Sequence, residues 1–291
     1  MRHTLQNTQL AIEVESAGGE LMSIQTPDGT HYLWQGDPAY WASRATNLFP
    51  VVGRLLESRY TYEGKSYEIP LHGFVKKSQL ECTGQTADTL VFTLRDSEET
   101  RQMYPFAFEY QIAYTLVGSK LAIEYRVHNP GEKPLYFGVG GHPGFYVPLE
   151  DGPAFEDCCL EFAQPHTPNL QIFTDACLAT GDKKPYPLED DRRLPLRHDL
   201  FDNDALIFSD ICRSVTLKSD KGGRAVQVDF PDMPYLALWH RPKTEAPYVC
   251  IEPWASLPGR CDQITDLEQK EDLIRLAPGG RYVNRWSITI L

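Results

Sequence analysis

Five segments of this 291-residue chain place ionisable side chains beside glycine, proline and aromatic residues. Asn47-Leu48-Phe49-Pro50-Val51-Val52-Gly53-Arg54 ends an apolar stretch on an arginine, whose planar guanidinium can donate to ligand hydroxyls or to a neighbouring carboxylate. In Leu71-His72-Gly73-Phe74 a histidine is followed by a glycine that permits close backbone approach and by a phenyl face suited to a sugar ring. Gly138-Val139-Gly140-Gly141-His142-Pro143-Gly144-Phe145 surrounds one histidine with glycines and a proline, which predicts a tightly shaped turn holding the imidazole in one orientation. Tyr248-Val249-Cys250-Ile251-Glu252-Pro253-Trp254 ends an apolar strand on a glutamate, and apolar surroundings raise a carboxyl pKa toward values useful to a general base. Finally, Phe201-Asp202-Asn203-Asp204-Ala205-Leu206-Ile207-Phe208 brings two acids to the start of an apolar strand. Each also has an ordinary role open to it: a surface arginine, a satisfied histidine, a glutamate paired with arginine, aspartates capping a turn.

Other chemistries find no support. There is no G-x-x-x-x-G-K-[ST] phosphate loop, G-x-S-x-G elbow, H-E-x-x-H or kinase motif, and the histidines are too dispersed for a local metal signature. No metal and no organic cofactor is expected.

The elements that must position these residues are strands. Leu90, Phe92 and Leu94 alternate, as do Phe106 through Leu116 and Leu121 through Val127, with turn residues at Val117–Lys120, His128–Gly131 and Ser219–Gly223. Further strands are predicted at Gln9–Glu15, Glu20–Gln25, Tyr235–His240, Tyr248–Glu252 and Arg285–Ile290, and a hairpin at Tyr60–Ile69. The main helical signal is Thr265 with Glu268, a capping box opening a short helix over Asp266–Leu276. The Pro-rich Lys183–Pro195 reads as a surface loop. Many strands without βαβ alternation predict an all-β fold, a large antiparallel sandwich with few short helices. Although about 150 residues per domain would suggest two, the segments that could share a site span the chain, so residues 1–291 are expected to form a single domain.

The formal charge of −12, from 28 basic and 40 acidic residues, opposes nucleic acid and anionic lipid as partners. Seven cysteines without a C-x-x-C suggest neither a disulfide framework nor a zinc cage, and a reducing cytoplasm fits them. No stretch approaches the roughly 18 apolar residues of a membrane span, and no secretion signal opens the chain.

Taken in order, NLFPVVGR, LHGF, GGHPGF, FDNDALIF and YVCIEPW resemble the aldose 1-epimerase (galactose mutarotase-like) family, in its branch of shorter bacterial proteins of the LacX type. The resemblance implies a β-supersandwich that interconverts the α and β anomers of a free hexose, with a small sugar as partner and a monomer or homodimer as the assembly. Carried over by motif, Glu252 is the base for the anomeric hydroxyl and His142 the acid for the ring oxygen. His72 contacts the substrate, and Arg54 and Asp204 bind hydroxyls; Asp202, two residues from Asp204 on an extended chain, competes with it for that role. Lys76 and Lys77 follow HGF where family members often carry arginine, and with Arg44 and Arg54 they are cations a hexose 6-phosphate would need. The −12 charge favours a neutral aldose instead. A carbohydrate-binding protein without turnover and a glycoside hydrolase, which needs a second carboxylate across the cleft, are the competing readings.

Overall fold

A computed structural model describes residues 1–291. The alternating segments form two large antiparallel sheets whose buried faces share a core of 63 residues. The nine-stranded back sheet runs Arg193–Pro195, Cys158–Phe162, Ser214–Ser219, Ala225–Asp229, Arg281–Ile290, Lys120–His128, Glu109–Val117, Thr89–Arg95, Glu81–Gln85. The seven-stranded site sheet runs Ala179–Pro185, Asn169–Phe173, Leu206–Ser209, Tyr235–Trp239, Tyr248–Trp254, Gly140–Tyr146, Ala45–Leu48. Smaller sheets form from Arg2–Gln6, Ala11–Glu15 and Glu20–Gln25, and from Arg59–Tyr62, Lys65–Glu68 and Thr265–Asp266.

Because side chains alternate across a strand, each strand of the site sheet has one core face and one free face. Phe145, Phe208, Leu238 and Ile251 join the 63-residue core. Their neighbours Ile207, Ala237 and Glu252 therefore turn to the opposite face, as do Thr46 and His142 by register. That second face is the floor of the site.

Three expectations change. GGHPGF is not a turn but the middle of a strand, Gly140–Tyr146. Its glycines serve packing: a Cβ on Gly141 would lie 2.5 Å from Trp286 and one on Gly140 2.8 Å from Trp254. Residues 266–276 form no helix. Thr265 pairs in parallel with Tyr60, Asp266 caps the Glu268 amide at 2.9 Å, and Ile274–Leu276 pairs with Leu135–Phe137, so both ends of the segment are held in ladders. The α-helix that does form, Glu98–Met103, is a short one closed by a Ser97–Thr100 capping box. Lys183–Pro195 is also less irregular than expected, since Ala179–Pro185 and Arg193–Pro195 are outermost strands of the two sheets, where proline is tolerated.

One buried polar group ties the sheets together. Asn47, 2% exposed, donates through Nδ2 to the carbonyls of Gly18 (3.1 Å) and Gly19 (2.9 Å) and to the Tyr114 hydroxyl (3.2 Å), while its Oδ1 accepts from Tyr125 (2.8 Å). It joins an edge strand of the site sheet to two central strands of the back sheet and to the turn before Glu20–Gln25. Replacing it strands several buried partners at once. Asn47→Ala is expected to lower the unfolding free energy by about 2–4 kcal/mol, measured by urea denaturation. An unchanged midpoint would show that the network is dispensable.

Candidate active site

The register of two strands sets the centre of the site. Gly140 pairs with Trp254 and Gly144 with Cys250, so His142 stands directly opposite Glu252, on the same face of the sheet. His142 Nε2 lies 3.3 Å from Glu252 Oε2, and the side chains are 11% and 2% exposed. The contact is close but not aligned as a hydrogen bond. Glu252 Oε2, His142 Nδ1 and the indole nitrogen of Trp254 are buried without a hydrogen-bond partner in the protein. Trp41 stacks on the His142 ring (centroids 4.8 Å apart, 27° between planes) and Trp239 meets it edge-on at 5.7 Å, so the imidazole has one orientation.

Above this floor opens a cavity of about 660 Å³ lined by all five predicted residues: Arg54, His72, His142, Asp204 and Glu252. The NLFPVVGR and LHGF segments meet at its wall. The Gly53 amide donates to His72 Nδ1 (3.0 Å) and the His72 amide donates to the Gly53 carbonyl (2.9 Å). With Nδ1 accepting, neutral His72 carries its proton on Nε2. His72 has a left-handed backbone, φ +63°, of the kind retained where structure over-determines it. Gly73 follows at φ +71°, where a Cβ would lie 2.1 Å from the Phe49 carbonyl oxygen. The His72 ring stands edge-on to His142 at 5.6 Å, and Arg54, exposed beside Gly53, reaches the rim.

Asp202 and Asp204 do not share a face, because the chain between them is not extended. Asp202 ends the 3₁₀ turn His198–Phe201 with helical dihedrals, whereas Asp204 has φ +77° and lines the cavity. The Cys177 thiol donates to Asp204 Oδ2 (2.8 Å) and the Ala205 amide to Oδ1 (2.9 Å), which fixes the carboxylate. Lys76 and Lys77 both line the cavity, while Arg44 does not. Trp41, Trp239, Cys177 and Arg241 are lining residues that the motifs did not reveal. Trp239 lies on a predicted strand, where alternation alone could have marked its face.

Burial pushes Glu252 well above the usual carboxylate range, and the Asp204 charge adds to the effect against a smaller opposing influence from Trp254. Burial pushes His142 down to about 3, with Lys76 in the same direction and a backbone contact opposing both. His72 is lowered well below 6.5 by burial, then by His142, Lys76 and Arg54. Burial therefore favours the neutral form of each, an uncharged imidazole on His142 and a carboxyl on Glu252 held above its usual range. Cys250, with His142 and Glu252, puts ligand-type atoms within 4.8 Å of one another. Its thiol is pushed well above its ordinary value by burial and by Glu252, which opposes ligation of a metal as thiolate.

Two antiparallel sheets with an acid–base pair on the free face of one define a galactose mutarotase-like β-sandwich, and solved structures agree. A galactose mutarotase related enzyme from Lactobacillus acidophilus superposes with a TM-score of 0.95 at 35% identity, covering 100% of this chain and 97% of that one. A galactose mutarotase-like protein from Lactobacillus casei gives 0.94 at 27% identity over the full length of both chains. Among curated relatives, the chromosomal protein LacX of Lactococcus lactis is 33% identical over 296 residues, 99% of this chain and 98% of its own. The chain belongs to the aldose 1-epimerase family, whose model matches residues 1–289.

A depressed His142 pKa has a readable sign. The unfolded histidine takes up a proton near pH 6.5 that the folded one refuses until about pH 3, so its contribution to stability is full above pH 6.5 and declines as pH falls. Imidazole NMR of the unliganded protein is expected to show no His142 titration between pH 6 and 8. A midpoint in that window would show that burial does not suppress the charge on His142.

Proposed function

We propose that this protein is an aldose 1-epimerase, an isomerase that interconverts the α and β anomers of a hexose. The observation that carries the reading is the buried His142–Glu252 pair, 3.3 Å apart on the floor of a cavity. The anomeric oxygen and the ring oxygen are bonded to the same carbon, so an acid and a base serving them must stand side by side. That is what cross-strand neighbours provide.

In the bound complex the proton that burial favours on Glu252 passes to His142, and Glu252 then removes the proton from the anomeric hydroxyl. As that O–H pair becomes the carbonyl π bond, the bond from C1 to the ring oxygen breaks and its electrons take the proton from His142. The open aldehyde turns about C1–C2, and the hydroxyl formed from the ring oxygen attacks the other carbonyl face. Glu252 returns its proton to the anomeric oxygen while His142 takes one back, so no proton is gained or lost. With one proton between them the two residues present one acid and one base, and they exchange roles on reclosure. The His72 Nε2–H donates toward the reacting oxygens; Arg54 and Asp204 bind hydroxyls. A reducing cytoplasm suits a chain whose seven cysteines are all free.

Asp204 is the second acid a glycoside hydrolase would require, and it faces the same cavity. Its carboxylate is occupied by the Cys177 thiol and the Ala205 amide, an arrangement suited to accepting from sugar hydroxyls rather than to attacking carbon. Release of nitrophenol from nitrophenyl glycosides is accordingly expected to be absent.

Polarimetry or NMR exchange on freshly dissolved α-galactose and α-glucose is expected to show accelerated anomer exchange. Glu252→Gln and His142→Asn should each lose about 10²–10⁴-fold of the acceleration. Sugar binding with equal exchange rates in wild type and Glu252→Gln would identify a binding protein without turnover.

A further inference from the structure

Four cations line the same cavity: Arg54, Lys76, Lys77 and Arg241. More than half of the chain's lysines and arginines form ion pairs, but none of these four does. They arrive from different connections, Arg54 after Gly53, Lys76 and Lys77 in the 3₁₀ turn Val75–Lys77, and Arg241 just beyond Tyr235–Trp239. Arg54, Lys77 and Arg241 are exposed and Lys76 is half-buried, whereas Glu252 is 1% exposed. The cavity thus has an acid–base floor and a cationic rim.

Like charges gathered without counterions in a protein of net charge −12 call for a physical explanation. Lys76 and Lys77 are adjacent, and burial and its neighbour both act against the charge on Lys76. Against the four cations stand Asp204, held by Cys177 and Ala205, and Glu252, whose charge is opposed by burial. An anionic ligand relieves the repulsion, and a concave cationic rim focuses field on such a ligand although the protein as a whole repels it.

Resting on the anomerase reading, we propose that the preferred substrate is an aldose bearing a phosphate monoester away from its anomeric carbon, a hexose 6-phosphate. Two constraints select it. A sugar 1-phosphate has no free hemiacetal and cannot be anomerised, so the phosphate is carried elsewhere on the sugar, and the primary hydroxyl at C6, outside the ring, can project a charged group toward the exposed cations. A dianionic phosphate has three acceptor oxygens for several donors, whereas a uronate carboxylate has two and one charge. The substrate is then the product of a reaction that phosphorylates a sugar at its primary hydroxyl, or of one that hydrolyses a phosphorylated glycoside.

Anomer exchange of glucose 6-phosphate, glucose and glucuronate is to be compared by NMR at low and high salt, with calorimetric binding of each and of inorganic phosphate. The phosphate ester is expected to exceed glucose about tenfold or more in kcat/KM and affinity, with glucuronate between them and the advantage shrinking as salt rises. The double variant Lys77→Gln with Arg241→Gln should remove most of the ratio, and the charge-conserving Lys77→Arg with Arg241→Lys should retain it. Equal values for glucose and its 6-phosphate, or a ratio indifferent to salt and to the neutral double variant, overturn the inference and leave the anomerase reading standing. A glucuronate preference overturns the choice of phosphate. Preferential binding of the phosphate ester with no exchange beyond that of Glu252→Gln supports the anion site and overturns the anomerase reading.

Discussion

The antiparallel ladder between Gly140–Tyr146 and Tyr248–Trp254 is the constraint on which the rest of the site depends. Its register puts His142 opposite Glu252, and a slip of one residue in either strand would send that strand's member of the pair into the core. Everything that holds the ladder in place is therefore part of the chemistry. Glycines on one strand admit tryptophans from its neighbours, the Asn47 network fastens the adjoining edge strand to the back sheet, and the 63-residue core fills the opposite face. His142 and Glu252 are buried because the sheet is, and the suppression of their charges follows from that burial.

The all-β character was legible because alternation is a local property, and residues such as Ile112, Tyr114, Tyr125 and Val127 show it over long strands. The irregular segments were less so. Thr265 and Glu268 have the spacing of a capping box, yet Thr265 is claimed by a ladder with Tyr60, more than two hundred residues away in the chain. Gly140 and Gly141 read as a turn because glycine usually marks one, and only the approach of Trp254 and Trp286 explains them as strand residues.

For the site, motif resemblance found residues that carry distinctive neighbours, while Trp41, Cys177 and Arg241 arrive from segments with no pattern of their own. Asp202 and Asp204 were inseparable in sequence, since the choice depended on a helical turn at one and a left-handed backbone at the other. Net charge does not describe the site for a related reason. It is a sum over the whole surface, whereas a ligand responds to the few groups around it, and here the two have opposite sign.

Floor and rim also have separate origins in the chain. His142 and Glu252 belong to paired strands and can scarcely change without disturbing the sheet, but all four cations stand on connections between strands, where insertion and substitution are tolerated. A lineage built on this scaffold is free to change what the cavity admits by editing loops while the floor is inherited intact. Divergence of the rim over an unchanged floor is the form of evolution this architecture permits most readily.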